Sequence, residues 1–127
     1  MMLALNEERI LPKIHPVTRE TLDLFIQKVL EQEKENLKKI ILFGSVARGE
    51  ANEDSDIDVL VILGQMTVDD RVLICNIGYD VKWNMDFHEN AYLQPVIVSE
   101  EETRGLAYWE LMQKVVEEGV CLYDAER

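Results

Sequence analysis

The sequence predicts an α/β protein, in the broad sense that includes α+β folds, with helices packed on one mixed β-sheet of three to four strands. Two nearly continuous apolar runs, at residues 39–43 and 57–63, indicate strands that are covered on both faces. An apolar stripe with helical spacing precedes these runs, and further helical and strand-like segments alternate after them. This alternation is typical of a layered sandwich of helices and sheet.

The first half of the chain predicts one helix followed by the two strands. Thr18 is a candidate N-cap for a helix over residues 19–36. The apolar side chains of that helix form a single stripe, which consists of Leu22, Phe25, Ile26, Val29 and Leu30. The loop between the two strands is long enough for a short helical turn after Ser45, which would aim backbone N–H groups at a phosphate.

The middle of the second half predicts a helix and a strand. Residues 69–88 carry apolar side chains at helical spacing. The end of that segment, residues 81–88, also alternates apolar and polar side chains, so that a strand there stays open. Residues 91–98 predict a strand, in which Pro95 indicates an edge position or a bulge.

A capping box predicts the start of the last helix. Ser99 is followed three residues later by Glu102, and this spacing favours a helix that runs to Glu118. Gly119 is placed to end it, and a short strand over residues 120–123 follows. This helix has apolar positions over a broad face, namely Leu106, Trp109, Leu111, Met112 and Val115. Tyr108 and Trp109 are expected to pack in the core, with a partner surface as the alternative.

Length and composition predict a single domain over residues 1–127 in the cytoplasm. A chain of 127 residues with 47% hydrophobic residues can bury one ordinary core. The sequence has no apolar run of the roughly 18 residues that a membrane span needs. The N-terminus turns acidic too early for a signal peptide. The two cysteines, Cys75 and Cys121, are expected to be buried free thiols rather than part of a disulfide framework.

The charge balance argues against binding to duplex nucleic acid. The chain has 13 basic and 25 acidic residues, for a net charge of −12. A duplex-binding protein needs a basic surface that displaces counterions from the phosphates, and only short basic clusters are present. The acidity is compatible with a small substrate such as magnesium-bound nucleoside triphosphate, or with a basic protein partner.

The candidate site lies between the two strands of the first half. Gly44 and Ser45 follow the first strand, and Asp56 and Asp58 stand at the start of the second. Side chains alternate along a strand, so both carboxylates project to one side, with Cα atoms roughly 6–7 Å apart. Oxygen ligands at that separation suit a hard divalent cation such as Mg²⁺. The pattern therefore predicts metal-assisted phosphoryl or nucleotidyl transfer.

Two other loop motifs do not match. A P-loop would need Lys and then Ser or Thr after Gly49, where Glu50 and Ala51 stand instead. An EF-hand beginning at Asp54 would need Gly at the position of Val59 and Glu at that of Gln65. The apolar residues that follow Asp58 are also unlike an exposed calcium loop.

The segment GSVARGEANEDSDIDVLV resembles the signature of the DNA polymerase β-like nucleotidyltransferases, and is most similar to their minimal nucleotidyltransferase (MNT) domains. The resemblance implies that Gly44 and Ser45 contact the nucleotide phosphates. It also implies that Asp56 and Asp58 are catalytic and hold Mg²⁺, with one of them bridging two ions. Arg48 is either a further phosphate ligand or a solvated loop arginine.

Active members of this superfamily usually carry a third carboxylate on a neighbouring strand. The corresponding strand here, residues 91–98, contains no acidic residue, and Tyr92 and Gln94 occupy the relevant face. Asp86 would supply the acid if residues 81–88 formed a strand, and Glu89 is a more remote candidate.

Two functions are consistent with these residues. The first is an enzyme that transfers a nucleoside monophosphate, AMP from ATP by preference, to a hydroxyl group supplied by another chain. The resemblance implies that MNT domains act as antitoxins beside a small helical HEPN-domain toxin. The alternative is a catalytically weakened nucleotide-binding protein that acts by holding its partner. The sequence leaves a homo-oligomer open.

Overall fold

The computed structural model describes residues 16–50, 56–84 and 93–126. Its helices are α1 (Pro16–Glu33), α2 (Gly44–Arg48), α3 (Val68–Asn84) and α4 (Trp109–Glu118). Its strands are β1 (Leu37–Phe43), β2 (Ile57–Leu63), β3 (Leu93–Ser99) and β4 (Val120–Asp124). Two 3₁₀ turns, Glu102–Arg104 and Leu106–Tyr108, lie between β3 and α4.

The four strands form one mixed sheet in the order β3-β2-β1-β4, which confirms the predicted fold class. Strand β1 pairs antiparallel with β2 and with β4, whereas β2 and β3 are parallel. Every residue of β2 except Asp58 is buried. The strand is buried because it lies inside the sheet and is covered on both faces, as its continuous apolar run predicts.

Alternate residues of the central strands point to two separate parts of the core. One face carries Ile57, Val59 and Val61 and packs with side chains of α1 and α3. The opposite face carries Leu60 and Ile62 and packs with Val115 and its neighbours on α4. Side chains two residues apart on a strand point to the same face, so Asp56 and Asp58 lie on the face of Leu60 and Ile62. The two acids therefore project to the side that α4 covers.

Helix α1 begins at Pro16 and ends at Glu33. Thr18 therefore lies inside the first turn, and the predicted cap there is wrong; proline suits a first turn because its missing N–H has no partner there anyway. The predicted stripe is confirmed, since its first four residues are buried and Leu30 is partly buried.

The predicted helix over residues 99–118 is interrupted. The capping box itself is present, because Ser99 N–H donates to Glu102 Oε1 at 2.9 Å and Glu102 N–H donates to Ser99 Oγ at 3.1 Å. Gly105 is extended, with φ −91° and ψ 170°, so the first turn ends there and α4 begins only at Trp109. Gly119 ends α4 as predicted.

The break leaves apolar side chains outside the core. Leu106, Trp109 and Val116 are exposed, so the prediction that Trp109 packs in the core is wrong. Tyr108, Leu111 and Met112 are partly buried against the core and Val115 is buried, which agrees with the expected packing of Tyr108.

Helix α3 reaches Asn84, so the beginning of residues 81–88 is helical. The remainder of that segment lies outside the described residues, as do Asp86, Glu89 and Tyr92. Strand β3 is an edge strand, which accommodates Pro95 as predicted.

Cys75 is exposed and Cys121 is partly buried, so the prediction of buried thiols is wrong for Cys75, although neither cysteine is in a disulfide. No helix in the described ranges is both long and apolar enough to cross a bilayer.

Candidate active site

A sharp turn after β1 starts the candidate site. Phe43 is still paired with Asp58 on β2, and Gly44 then adopts a positive φ of 81° as α2 begins. A Cβ on Gly44 would collide with the Asp58 carboxylate. Glycine is therefore required both by the backbone angle and by the close approach of the acid. The first and last parts of the sequence motif are in contact at this point.

Helix α2 is a single anchored turn, as predicted for the segment after Ser45. Val46 and Ala47 are buried and attach it to the sheet. Its end is closed by Gly49, whose φ is 74° and whose N–H bonds back to Ser45 O and Val46 O. Ser45 is half-buried and Arg48 is exposed, so the polar side chains of the turn face outward.

Two carboxylates stand beside this turn. Asp56 immediately precedes β2 and Asp58 is its second residue. Burial raises the pKa of Asp58, and the charge of Asp56 raises it further, while Lys114 and Arg48 act in the opposite direction. Asp56 and Asp58 are therefore close enough for their charges to interact.

An amide occupies the neighbouring position on β3. Gln94 is the cross-strand partner of Asp58 in the parallel β2–β3 pair. Its Nε2 donates a hydrogen bond to Asp56 Oδ2 at 2.9 Å. Gln94 therefore holds one of the acids where a third carboxylate was sought, and it adds no charge.

A third acid reaches the turn from α4. Glu118 Oε2 accepts hydrogen bonds from Gly44 N–H at 2.7 Å and from Arg48 Nη1 at 2.8 Å. Arg48 Nε also pairs with Glu50 at 2.8 Å. These two carboxylates raise the pKa of Arg48, so its guanidinium remains positively charged.

The paired acids fit a divalent cation. Their donors are hard oxygens, and the raised pKa of Asp58 reflects burial and like-charge repulsion, which a cation would relieve. The ranges that the structure describes contain no group of three or more acidic, histidine or cysteine residues arranged to hold a metal. Asp56 and Asp58 would therefore bind the ion with other oxygens, from water or nucleotide, completing its coordination.

This arrangement, with a glycine-serine turn packed against paired aspartates, agrees with a match between residues 22–119 and the family model described as "Nucleotidyltransferase domain". The chain belongs to this family. The resemblance drawn from the motif is confirmed, and the matched segment contains α2, both aspartates and Glu118.

The nucleotidyltransferase domain is also similar to individual proteins. It is 31% identical over 99 residues to a Methanocaldococcus jannaschii protein named "Putative protein adenylyltransferase", covering 78% of this chain and 91% of that protein. It superimposes with a TM-score of 0.54 and 25% identity on a toxin–antitoxin structure with AMP-PNP, covering 79% of this chain and 71% of that one.

A third similarity concerns the fold alone. A spectinomycin adenyltransferase from Enterococcus faecialis, solved with ATP and spectinomycin, superimposes with a TM-score of 0.51 at 20% identity. The match covers 75% of this chain and 44% of that protein. The spectinomycin adenyltransferase chain is therefore more than twice as long as its segment that matches this domain.

Sequence reasoning identified the motif residues but missed Glu118. The predicted helix ended at Glu118, yet the sequence gives no sign that its carboxylate meets Gly44, 74 residues away. Lys114, whose charge acts on Asp58, was missed for the same reason. Position 94 was recognised as polar, but its bond to Asp56 depends on the parallel register of β2 and β3.

Proposed function

We propose that this domain is a magnesium-dependent nucleotidyltransferase that transfers AMP from ATP to a hydroxyl group on a partner protein. The observation that carries the proposal is the packing of the Gly44 turn against Asp58, which supports it because these are the residues assigned to the phosphates and to the metal. The proposed partner is the HEPN-type toxin of a toxin–antitoxin pair, for which this chain would be the MNT antitoxin.

The residues divide into two groups. Gly44 and Ser45 are assigned to the triphosphate because they form the turn that packs against Asp58, and a glycine backbone can approach a phosphate closely. Arg48 adds positive charge on the same turn. Asp56 and Asp58 hold the ions, for which the family resemblance implies two Mg²⁺. When bound, Mg²⁺ neutralises charge on the leaving pyrophosphate and lowers the pKa of the attacking hydroxyl.

The proposed reaction is a displacement at the α-phosphorus of ATP. The acceptor oxygen bonds to that phosphorus, and the bond to the oxygen that bridges to the β-phosphate breaks. Pyrophosphate leaves with the electron pair, and the hydroxyl proton passes to solvent. Asp56 and Asp58 would hold the ions, and in that role they would help to position the phosphates.

Three observations support a protein acceptor. A relative 31% identical over 99 residues has "protein adenylyltransferase" in its name, and a structural neighbour at 25% identity is a toxin–antitoxin structure with AMP-PNP. The net charge of −12 is compatible with a basic partner.

The proposed compartment is the cytoplasm. Neither of the two cysteines is in a disulfide, which is consistent with that compartment.

Gln94 favours a second candidate function. It places a neutral amide against Asp56 at the edge where active members of the superfamily usually carry a third acid. A domain with this substitution would bind nucleotide and turn it over slowly. It would then act by holding its partner rather than by modifying it.

The first test is calorimetric titration with ATP, with and without Mg²⁺. Wild-type protein is expected to bind ATP only with Mg²⁺, and Asp58→Asn is expected to lose that binding while remaining folded. Asp80→Asn is the matched control, because it makes the same chemical change at an exposed position on α3. Equal binding by wild type and Asp58→Asn would contradict the site assignment.

Transfer is then measured with the partner toxin and ATP labelled at the α-phosphate. Label on the toxin that disappears with Asp58→Asn supports the enzyme. Neutralisation of the toxin without label, by wild type and Asp58→Asn alike, supports the binding protein instead.

A further inference from the structure

One carboxylate oxygen links the end of α4 to the proposed phosphate-binding turn. Glu118 Oε2 accepts both the Gly44 N–H and an Arg48 Nη1 hydrogen, at 2.7 and 2.8 Å. Both donors belong to the turn to which the nucleotide phosphates are assigned. Charge-assisted bonds of this length are among the stronger hydrogen bonds in proteins.

Glu118 is better held than the other carboxylate on Arg48. The Glu118 side chain is 15% exposed, whereas that of Glu50 is 66% exposed. Glu118 is the last residue of α4, three residues beyond Val115, which is buried against the sheet. An arginine bonded to a carboxylate on a packed helix has less freedom than one bonded only to an exposed loop residue.

The geometry of Arg48 leaves part of its guanidinium for another anion. A guanidinium carries five N–H donors, and the two bonds to Glu50 and Glu118 use one on Nε and one on Nη1. The Arg48 side chain is 41% exposed, so its outer edge reaches solvent. A phosphate can therefore bind Arg48 while Glu118 stays in place.

We propose that Glu118 is a positioning residue for the nucleotide phosphates, acting through Arg48 and the Gly44 turn. This inference rests on the proposed function, because it presupposes that ATP binds at that turn. It adds to the site a residue from the C-terminal part of the domain. It also explains why the last turn of α4 carries an acid beside the already repelling pair of aspartates.

If Glu118 competed with the phosphates instead of positioning Arg48, its removal would have the opposite effect on nucleotide affinity. If Glu118 merely occupied the place of a phosphate, its removal would free Gly44 N–H and Arg48, and nucleotide would bind more tightly. If Glu118 positions Arg48, its removal weakens binding even though one negative charge has been deleted. The sign of the change therefore distinguishes the two roles.

The experiment compares Glu118→Ala, Glu118→Gln and Glu117→Ala by calorimetric titration with Mg·ATP. Glu118→Ala is expected to weaken binding by about tenfold, the usual scale for losing hydrogen bonds to a charged group. Glu118→Gln keeps an acceptor oxygen and is expected to recover most of the loss. Glu117→Ala removes the same charge from the adjacent exposed position and should stay within about twofold of wild type.

Two further measurements separate positioning from general damage. Mn²⁺ binding in the absence of nucleotide should change to the same extent in Glu118→Ala and Glu118→Gln, because both delete the Glu118 charge that acts on Asp58. Mg·ATP binding should fall much further in Glu118→Ala than in Glu118→Gln. In an Arg48→Ala background, Glu118→Ala should cause a smaller loss than it does in wild type, because only the bond to Gly44 N–H is then left to remove. Arg48→Ala also tests the pair independently should Glu118→Ala not fold.

The outcomes are distinct. Unchanged or tighter Mg·ATP binding by Glu118→Ala, with wild-type binding still lost in Asp58→Asn, overturns the positioning role and leaves the proposed function standing. Full additivity with Arg48→Ala also overturns it. Absence of Mg·ATP binding by folded wild-type protein overturns the proposed function and, with it, this inference.

Discussion

Asp58 is held in the site at a cost to the fold. Its carboxylate is partly buried, adjacent to Asp56 and in reach of the Glu118 charge, and these influences together raise its pKa. Lys114 and Arg48 offset only part of this effect. A raised pKa in the folded state means that the native protein binds a proton more readily than the unfolded chain does. Ionised Asp58 therefore lowers the free energy of unfolding at neutral pH.

Asp58→Asn is accordingly expected to stabilise the domain at pH 7, raising the thermal midpoint by about 1–2 °C. Stability conferred by protonated Asp58 is present below its unfolded pKa and is lost as pH rises through the raised folded pKa. The advantage of the variant should therefore shrink between pH 7 and pH 4. Thermal unfolding at several pH values, with exposed Asp80→Asn as control, measures this; a destabilised Asp58→Asn would contradict it.

At the scale of single residues, the sequence was informative where chemistry depended on local spacing. Gly44 follows β1 and Asp58 lies near the start of the paired strand β2, and their proximity follows from the pairing of these strands and the turn after β1. Glu118 and Gln94 belong to distant segments, and their contacts require the order of strands in the sheet. The periodicity of apolar residues in a single sequence does not indicate the order of the strands in the sheet.

At the scale of elements, the capping box after β3 gives a stability prediction that is independent of the site. Ser99 Oγ accepts from Glu102 N–H, so Ser99→Ala should lower the free energy of unfolding by about 1 kcal/mol. Strands β2 and β3 are parallel and both start at the site, so Ser99 lies at the opposite end of the sheet. Mg·ATP binding should therefore be unchanged.

Urea unfolding and calorimetric titration of Ser99→Ala check both halves of that expectation. Glu101→Ala is the control, because Glu101 is an exposed neighbour whose side chain lies outside the reciprocal capping bonds. Weaker nucleotide binding by Ser99→Ala would show that the two ends of the sheet are coupled. An unaltered free energy of unfolding would mean that the cap contributes nothing.

The elements that the sequence predicted well are those with a strong apolar pattern. Strand β2 has the predicted bounds, and β1 begins only two residues earlier than expected, because both carry nearly continuous apolar runs. The prediction of the last helix was wrong between Ser99 and Trp109. The capping signal there was correct, but the backbone becomes extended at Gly105. A capping box specifies how a turn begins, and it carries no information on how far the helix continues.

At the scale of the whole molecule, the acidic charge limits what the domain binds. The net charge of −12 is spread over 127 residues. Near the site, Asp56, Asp58, Glu50 and Glu118 outnumber Arg48 and Lys114. Such a surface is expected to repel free ATP more strongly than the magnesium complex, which carries less negative charge.

The same charge predicts that the domain does not bind duplex DNA, because its sequence has only short basic clusters with which to release counterions from the phosphates. In a mobility-shift assay at about 50 mM salt, where electrostatic binding is strongest, micromolar protein should leave a DNA duplex of about 30 base pairs unshifted. The assay is run with Mg²⁺ and with a chelator, since the ion could bridge an acidic protein to phosphate. Mg·ATP binding in the same buffer shows that the protein is folded. A shift that persists with chelator and disappears on adding salt would contradict the charge argument and would reveal a nucleic-acid surface that the acidic composition conceals.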